Sequence, residues 1–578
     1  MKKKVIPVLI VIVLIIIVAS GIVISALSEK YTPTKEEKDL NEYFNLTDSA
    51  AVAIVYNNAL SEEQATIIDG SVYLSYDFIR SNLNSRLYWD ANENILSYAS
   101  DTSLLTASAD SSTYQVDKAS EDYGRPLVTL VGSTAMVDFE FLDSISDFSW
   151  SYYDSPARLV ITNNWGEITT ASVKKDTEIR VLGGIKSPIL EHISKNASVT
   201  VLAEDQTWTK VQSEDGIIGY ILSDTLTSKE SKEISSQKEA ETFTHLLKDE
   251  PVCLAWHQVT NYTANSSISS VLASTRGVNV MSPTWFYLND NEGNIADIAS
   301  KDYVAYCHSQ GVDVWGLVSN LENANADTTY VLTHTSARTN LVNQLIAAAI
   351  KYELDGINVD FEQISSECGD GYIEFIRELS IKCAVNGICL SVDNYVPSNY
   401  TTIYSRSEQA LFADYVIIMA YDQHTTGSEV GSVASFDWVS EGVINTLAEV
   451  PAEQTILGIP FYTRIWELTP KDDIDQGEVT DSTDLSTLYD ISSAVYGMSA
   501  AQKEVNANGA QSTWLEDSGQ FYAEWEKDGA TYKVWLEDSS SIEQKLSLVN
   551  SNSLAGAAFW KLGFETSSVW DTIVKYIN

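Results

Sequence analysis

Short apolar runs alternate with helix-length segments through the second half of the chain. The runs begin at Val252, Val278, Val312, Leu354, Ile388, Tyr415, Ile456 and Leu554. Strands separated by helices are typical of parallel βαβ units, and eight such units close into a (β/α)₈ barrel. We therefore predict an α/β fold with a TIM barrel over residues 246–578. The segment 466–553 is too long for one helix and carries a hairpin pattern around Asp528-Gly529, so we expect a small α+β insertion there.

Different patterns precede the barrel. Residues 28–170 contain a repeat of strand, helical turn and hairpin, once from Gly70 and again from Ala135, which predicts two α+β modules. Residues 172–227 hold short alternating apolar runs, which are typical of a small β-barrel. Residues 228–245 are rich in Ser, Lys and Glu without apolar periodicity and are predicted to be a linker.

The N-terminus predicts a membrane anchor over residues 1–27. Lys2, Lys3 and Lys4 precede an uncharged run from Val5 to Leu27. A helix of this length spans about 34 Å, enough to cross a bilayer. The lysines predict a cytoplasmic N-terminus and an extracellular remainder at the cell membrane. The alternative is a signal peptide cleaved after Ala26 or Leu27.

Charge and cysteine content exclude several classes of partner. The chain has 36 Lys and Arg against 80 Asp and Glu, a formal net charge of −44. Phosphate-binding surfaces need cations, so we expect no nucleic acid partner. The five cysteines form no C-x-x-C pair and the six histidines are scattered, which predicts buried free thiols and no metal site. No cofactor is expected.

One strand carries acidic chemistry. In the run Leu354–Glu362, alternation places Asn358, Asp360 and Glu362 on one face and apolar residues on the other. The charge of Asp360 would disfavour ionisation of Glu362 and keep Glu362 protonated, as a general acid requires. The alternative interpretation is an acidic strand edge in contact with solvent.

Barrel enzymes place their active sites at the C-terminal ends of the strands. Aromatic side chains recur at these ends, and their rings suit the C–H faces of sugars. The candidate substrate-binding residues at the strand ends are Trp285, Met419, Asp422, Tyr462, Arg464 and Trp560, with Tyr421 as a further catalytic candidate.

The motifs resemble those of glycoside hydrolase family 18. The run around Asp360 is similar to D-G-x-D-x-D-x-E, with Asn358 in place of the second Asp, and M-x-Y-D, G-x-P-x-Y-x-R and a late Trp follow. The repeat at 28–170 resembles the small N-terminal domain of copper amine oxidases, without metal ligands here. The 172–227 segment resembles bacterial SH3-type domains, through which the chain would contact the cell wall; the alternative is a spacer.

The resemblance implies residue roles. Glu362 would act as acid and then base, Asp360 would hold the N-acetyl N–H, and Tyr421 would orient the acetamide carbonyl. Asp422 would support that network, Trp560 would form the floor of a sugar subsite, and Asn358 would lie behind Asp360. Because Asn358 cannot share a proton with Asp360 as a carboxylate would, a shifted pH optimum is expected.

The resemblance also implies a function. A membrane-anchored glycosidase of this family would cleave β-1,4 bonds of N-acetylglucosamine glycans with retention, using the acetamide of the substrate as nucleophile. Two alternatives are a catalytically weak or silent protein that binds wall glycans and a structural surface protein. Peptidoglycan, chitin and N-glycan cores remain open as substrates, as does exo or endo action.

Overall fold

The computed structural model describes residues 5–46, 48–236, 238–471 and 484–577. The chain divides into two compact units. The first comprises Met1–Trp89, Ala107–Tyr114 and Ser120–Ala240, and the second comprises Asp90–Thr106, Gln115–Ala119 and Glu241–Asn578.

Eight parallel strands in the second unit form a closed barrel. They are β1 (Val252–His257), β2 (Val280–Leu288), β3 (Asp313–Ser319), β4 (Gly356–Asp360), β5 (Cys389–Tyr395), β6 (Tyr415–Met419), β7 (Thr455–Pro460) and β8 (Gly556–Trp560). Each strand pairs in parallel with its sequence neighbour, and β8 pairs with β1 to close the ring. A short strand, Ile295–Asp297, extends β2 antiparallel. The predicted (β/α)₈ barrel is confirmed.

Helices and single turns follow the barrel strands. They are Tyr262–Ser267, Ile268–Ala273, Lys301–Ser309, Thr328–Thr333, Thr335–Tyr352, Gly369–Asn386, Thr402–Tyr404, Arg406–Phe412, Phe436–Leu447, Ala452–Gln454, Ser539–Ser551 and Val569–Ile577. Since both faces of the strands are covered, the runs read as continuously apolar in sequence.

The barrel has two apolar layers. Inside it, Leu254, Trp256, Leu317, Ile417 and Ala558 pack together on alternate strand positions. The larger layer lies between the strands and the helices. All five cysteines are buried with free thiols, as predicted. Successive side chains of each strand alternate between the inside of the barrel and the layer beneath the helices, and only the inward-facing ones reach the open end of the barrel.

An antiparallel sheet follows β7. Its five strands, in spatial order, are Tyr489–Gly497, Tyr462–Pro470, Ala530–Leu536, Gln520–Lys527 and Thr513–Leu515. The helices Leu485–Leu488 and Met498–Ala507 belong to the same segment. The hairpin turns at Asp528 and Gly529, which both have positive φ and suit a tight two-residue loop. Residues 472–483 of the predicted insertion lie outside the described residues.

The first unit is mostly β-structure. One seven-stranded sheet contains Ser149–Asp154, Ala157–Thr162, Ala51–Tyr56, Ala59–Ile68, Ser71–Ser75, Thr134–Asp138 and Val128–Val131. A second contains Ile189–Ile193, Thr177–Arg180, Ile218–Leu222, Trp208–Ser213, Ser198–Glu204, Gly166–Ser172 and Glu230–Ile234. A further sheet, not confined to the first unit, contains Leu87–Asp90, Ile95–Ala99, Leu104–Ser108, Thr113–Val116 and Ala119–Asp122. Short helices are Leu40–Tyr43 and Ser223–Thr225.

The predicted repeat has the same local structure in both copies. Strand Ser71–Ser75 leads into helix Tyr76–Asn82, and strand Thr134–Asp138 leads into helix Phe139–Ile145. Each helix begins at a polar cap, because the Ser75 and Asp138 side chains accept hydrogen bonds from backbone N–H groups three residues on. Secondary structure alone does not test the proposed module families or the domain boundaries, which stay predictions.

The N-terminal apolar run forms one helix, Val5–Tyr31. Residues Ile6–Tyr31 have a mean hydropathy of 3.3 in their most apolar window and none of that window is buried. By length and composition this helix is able to cross a membrane, but a signal sequence has the same properties. Lys2, Lys3 and Lys4, on which the predicted orientation rests, lie outside the described residues.

Candidate active site

Strand β4 ends in the acidic residues. Asn358 and Asp360 alternate with apolar residues that face the helices, and Asp360 is the register partner of Ser319 on β3. Glu362 lies just beyond the strand end. The three side chains that sequence alternation placed on one face are thus a buried amide, a carboxyl at the strand end and a carboxyl in the following loop.

Asn358 is fully buried and satisfied. Its Oδ1 accepts hydrogen bonds from Trp256 Nε1 and from the Ser282 hydroxyl, both at 2.9 Å. Its Nδ2 donates to Ser391 Oγ at 3.0 Å and to Asp393 Oδ1 at 2.8 Å. These hydrogen bonds fix the orientation of the amide and join strands β1, β2, β4 and β5 beneath the acidic residues.

Glu362 is held by two neighbouring strands. The Tyr395 hydroxyl on β5 donates to its Oε2 at 2.7 Å. The backbone N–H of Glu362 donates to Asn320 Oδ1 at 2.8 Å, and Asn320 Nδ2 donates back to the Glu362 carbonyl at 2.9 Å. This pair of contacts positions the loop, and the Tyr395 contact orients the carboxyl.

Burial raises the pKa of Glu362, and the charges of Asp422 and Glu322 raise it further. The hydrogen bond from Tyr395 opposes them by stabilising the ionised form. The direction agrees with the sequence prediction, but the largest cause is burial and not the charge of Asp360. A carboxyl with a raised pKa beside an open barrel end has the properties of a general acid.

Asp360 lies in a strongly acidic environment. Its Oδ1 is shielded from solvent and has no hydrogen-bond partner. Burial raises its pKa well above the usual range, and the carboxyls of Asp393, Glu362 and Glu322 add to the effect. An unpartnered buried oxygen at a site is available to a ligand N–H.

Tyr421 and Asp422 follow β6. Asp422 has a φ of 59° and accepts a hydrogen bond from the Tyr462 hydroxyl at 2.8 Å. Arg464 lies 3.6 Å from the same Oδ1. The rings of Tyr421 and Tyr462 are 6.1 Å apart and nearly perpendicular. The structure therefore brings together the four residues predicted from the two motifs.

Trp560 and Met419 complete the inner wall. Trp560 ends β8, and its ring lies 6.0 Å from the ring of Trp256 in an edge-to-face arrangement. Met419 ends β6, beside Tyr395 on β5 and Gly458 on β7. Both side chains are partly exposed at the end of the barrel that carries Glu362.

Trp285 is not part of this group, and its prediction as a substrate-binding residue is wrong. The side chain is 0% exposed and packs in the layer between strands and helices. Its Nε1 donates to Asn265 Oδ1 at 2.7 Å. The register between β2 and β3 shifts between Thr284 and Phe286, so simple alternation does not carry to the end of β2.

Sequence reasoning missed four residues of the site: Asn320, Glu322, Asp393 and Tyr395. Asn320 and Glu322 follow β3, and Asp393 and Tyr395 belong to β5. A signal was present, since Ser391 and Asp393 alternate with Leu390 and Val392, as the polar residues of β4 alternate with apolar ones. Among the described residues no group of three or more His, Cys, Asp and Glu is arranged to hold a metal.

Residues 322–565 match the family model of glycosyl hydrolases family 18. Two relatives align over about half of the chain. The uncharacterized glycosylase YvbX of Bacillus subtilis (strain 168) is 25% identical over 311 residues, 52% of this chain and 84% of that protein. The cortical fragment-lytic enzyme of Bacillus anthracis is 22% identical over 323 residues, 53% of this chain and 70% of that enzyme.

The solved structures that resemble the chain include the C-terminal domain of a chitinase-like protein from Desulfitobacterium hafniense DCB-2. It is 19% identical, with a TM-score of 0.49, and the likeness covers 57% of this chain and all of that domain. The matched region, residues 322–565, contains Glu322, Asp360, Glu362 and Trp560 at the end of the barrel that carries Glu362.

Proposed function

We propose, on the premise that the barrel is a glycosyl hydrolases family 18 domain, that it hydrolyses β-1,4 bonds of N-acetylglucosamine-containing glycans. The observation that supports this most is the pairing of Glu362, whose pKa burial raises, with Asp360, whose Oδ1 lacks a partner. The first is suited to donate a proton and the second to accept an N–H.

In the proposed first step Glu362 gives its proton to the glycosidic oxygen. The bond from that oxygen to C1 breaks while the acetamide carbonyl oxygen of the same sugar bonds to C1, which yields an oxazolinium-like ring. Asp360 accepts the acetamide N–H, Tyr421 orients the acetamide carbonyl and Trp560 stacks on the sugar. A substrate nucleophile of this kind replaces the second carboxylate of the usual retaining scheme.

In the second step Glu362 acts as base. It takes a proton from water, the water oxygen bonds to C1 and the bond from C1 to the acetamide oxygen breaks, so the configuration at C1 is retained. Tyr395 stabilises the ionised Glu362 between the two steps through its hydrogen bond to Oε2. On the other side of the site, Asp422 accepts the hydrogen bond from the Tyr462 hydroxyl and lies beside Arg464, and these contacts fix the position of Tyr462.

We propose peptidoglycan as the substrate class, with chitin as the second candidate. Two observations support it: a relative is a cortical fragment-lytic enzyme, and the helix Val5–Tyr31 is able to hold the chain at a membrane facing the wall. We further propose that the SH3-like segment 172–227 contacts the wall and that the barrel acts outside the cell.

The test is digestion of purified peptidoglycan and of chitin by the chain lacking residues 1–27, with the products identified by mass. Glu362→Gln should abolish release of products, because it removes a general acid that contributes about 10²–10⁴-fold. Glu367→Gln is the matched control, since Glu367 is exposed in the following loop. Binding without hydrolysis by the unaltered chain would favour a silent glycan-binding protein instead.

A further inference from the structure

Two buried aspartates lie on neighbouring strands, Asp360 at the end of β4 and Asp393 within β5. Asn358 and Ser391 are register partners, as are Val359 and Val392. One residue further, alternation brings Asp360 beside Asp393, and neighbouring strands are about 5 Å apart. The hydrogen bond from Asn358 to Ser391 confirms that this parity faces the barrel interior.

The surroundings of this pair are acidic or neutral. Asp393 is 2% exposed, and the Oδ1 of Asp360 is shielded and unpartnered. The charged groups that act on Asp360 are the carboxyls of Asp393, Glu362 and Glu322. Two buried carboxylates on adjacent strands disfavour each other's ionisation, and the charge of Asp393 raises the pKa of Asp360.

The phenols around the pair stay neutral, because burial raises the pKa of each of them. They are Tyr372 on helix Gly369–Asn386, Tyr404 before helix Arg406–Phe412, and Tyr421 after β6. The cation beside them, Arg406, pairs with Glu449. The charge of the pair is therefore not balanced by a direct cation contact that the described residues provide.

We propose that Asp360 and Asp393 share a single proton, and that Asp393 is the positioning residue that lets Asp360 ionise when substrate arrives. Asn358 donates to Asp393 Oδ1 at 2.8 Å, which favours Asp393 as the ionised member in the free protein. Asp360, without a donor on Oδ1, holds the proton.

The proton moves when the acetamide N–H approaches. The O–H bond on Asp360 breaks and an O–H bond on Asp393 forms, so the negative charge passes to Asp360 and the net charge of the pair is unchanged. Asp360 then accepts the N–H and faces the developing cation. This inference rests on the proposed function. It gives Asp393 on β5 the proton-sharing role that Asn358 on β4, as an amide, is unable to fill.

The pH profile of kcat is the first test. In Asp393→Asn, Asp360 must lose its proton to solvent, so we expect the acidic limb to move to higher pH by at least about one unit and kcat to fall about tenfold or more. The double variant Asn358→Asp with Asp393→Asn moves the second carboxylate from β5 to β4, two residues before Asp360, and should restore the acidic limb. A uniform loss of activity with an unchanged profile, or a swap that fails to restore the limb in a folded protein, overturns the proposal.

A second test does not need activity. Infrared difference spectra between Glu362→Gln and the triple variant that also carries Asp360→Asn and Asp393→Asn isolate the carboxyls of the pair. We expect the intensity of one protonated carboxyl at neutral pH. A spectrum with no protonated carboxyl, or with two, overturns the shared proton. If the spectrum shows one protonated carboxyl but the unaltered chain does not hydrolyse glycans, only the proposed function is overturned.

Discussion

The hydroxyl of Tyr395 donates a hydrogen bond of 2.7 Å to Oε2 of Glu362. Burial raises the pKa of Tyr395, so the phenol remains the donor. The same contact opposes the effect of burial on Glu362, since a hydrogen bond to the ionised form stabilises that form. A residue that acts first as acid and then as base needs both protonation states to be accessible.

Tyr395→Phe should move the alkaline limb of the kcat/KM profile to higher pH. The substitution removes a hydrogen bond that lowers the pKa of Glu362, so that pKa rises and the acid form persists to higher pH. We expect kcat to fall about tenfold, because hydrogen bonds to charged groups contribute about 1.5–3 kcal/mol. Steady-state kinetics over a pH series on a chitin oligomer measure both effects.

Tyr404→Phe is the matched control for this prediction. The ring of Tyr404 lies 5.7 Å from that of Tyr395, but its hydroxyl contacts the backbone of Phe361 and Ile364 and not the Glu362 carboxyl. The alkaline limb of the kcat/KM profile of Tyr404→Phe should therefore stay at its wild-type pH. An equal shift in both variants would contradict a specific role for the Tyr395 hydroxyl.

The barrel could be predicted, and its candidate acid proposed, from the sequence because each depends on local patterns. Eight apolar runs mark the strands, and the alternation around Asp360 marks one inner face. Tyr395 and Asp393 were missed because strand β5 carries no family motif, and their importance follows from lying beside β4 in space. Register partners on neighbouring strands are far apart in sequence, as Asn358 and Ser391 show.

Trp285 shows the limit of reading strand ends from sequence. The run Val280–Leu288 is long, and its register with β3 shifts before the end. An aromatic residue near a strand end is therefore as compatible with the outer layer as with the inner one. Trp560, which ends the short strand β8 without such a shift, lies on the inner side, beside Trp256.

Trp560→Ala should impair catalysis, whereas Trp285→Phe should lower only the stability of the fold. Trp560→Ala should lower kcat/KM for glycan oligomers about tenfold or more, since burial of an aromatic face contributes about 1.5–3 kcal/mol. Trp285→Phe should leave kcat/KM unchanged and lower the free energy of unfolding by about 1–3 kcal/mol, because Asn265 Oδ1 loses its donor. Kinetics and denaturant unfolding of both variants test this, and a kinetic defect in Trp285→Phe without destabilisation would place that residue at the site.

The helix Val5–Tyr31 should retain the full chain in the membrane fraction. Two substitutions, Ile12→Lys and Ile16→Lys, place charges near its centre, where each costs about 2.5–3.5 kcal/mol of insertion. We expect the double variant to lose carbonate-resistant membrane association. Two leucine substitutions at the same positions are the control. A mature protein that begins after Ala26 or Leu27 would instead identify a cleaved signal.

Asp360→Asn should stabilise the fold at neutral pH while it removes activity. Burial and neighbouring carboxyls raise the pKa of Asp360 above its unfolded value of about 3.9. The protonated form therefore stabilises the fold fully below the unfolded pKa, and this contribution is lost as pH rises through the folded pKa.

Asparagine does not ionise, so the variant avoids that loss and its Tm at neutral pH should exceed the wild-type value by a few degrees, given that about 1 kcal/mol corresponds to ~2–4 °C in a domain of 150–250 residues. The difference should vanish as pH falls below about 4. Thermal unfolding over a pH series measures it, with Asp249→Asn as a control at an exposed position. A difference in Tm that is the same at every pH would mean that Asp360 affects stability through packing and not through its ionisation.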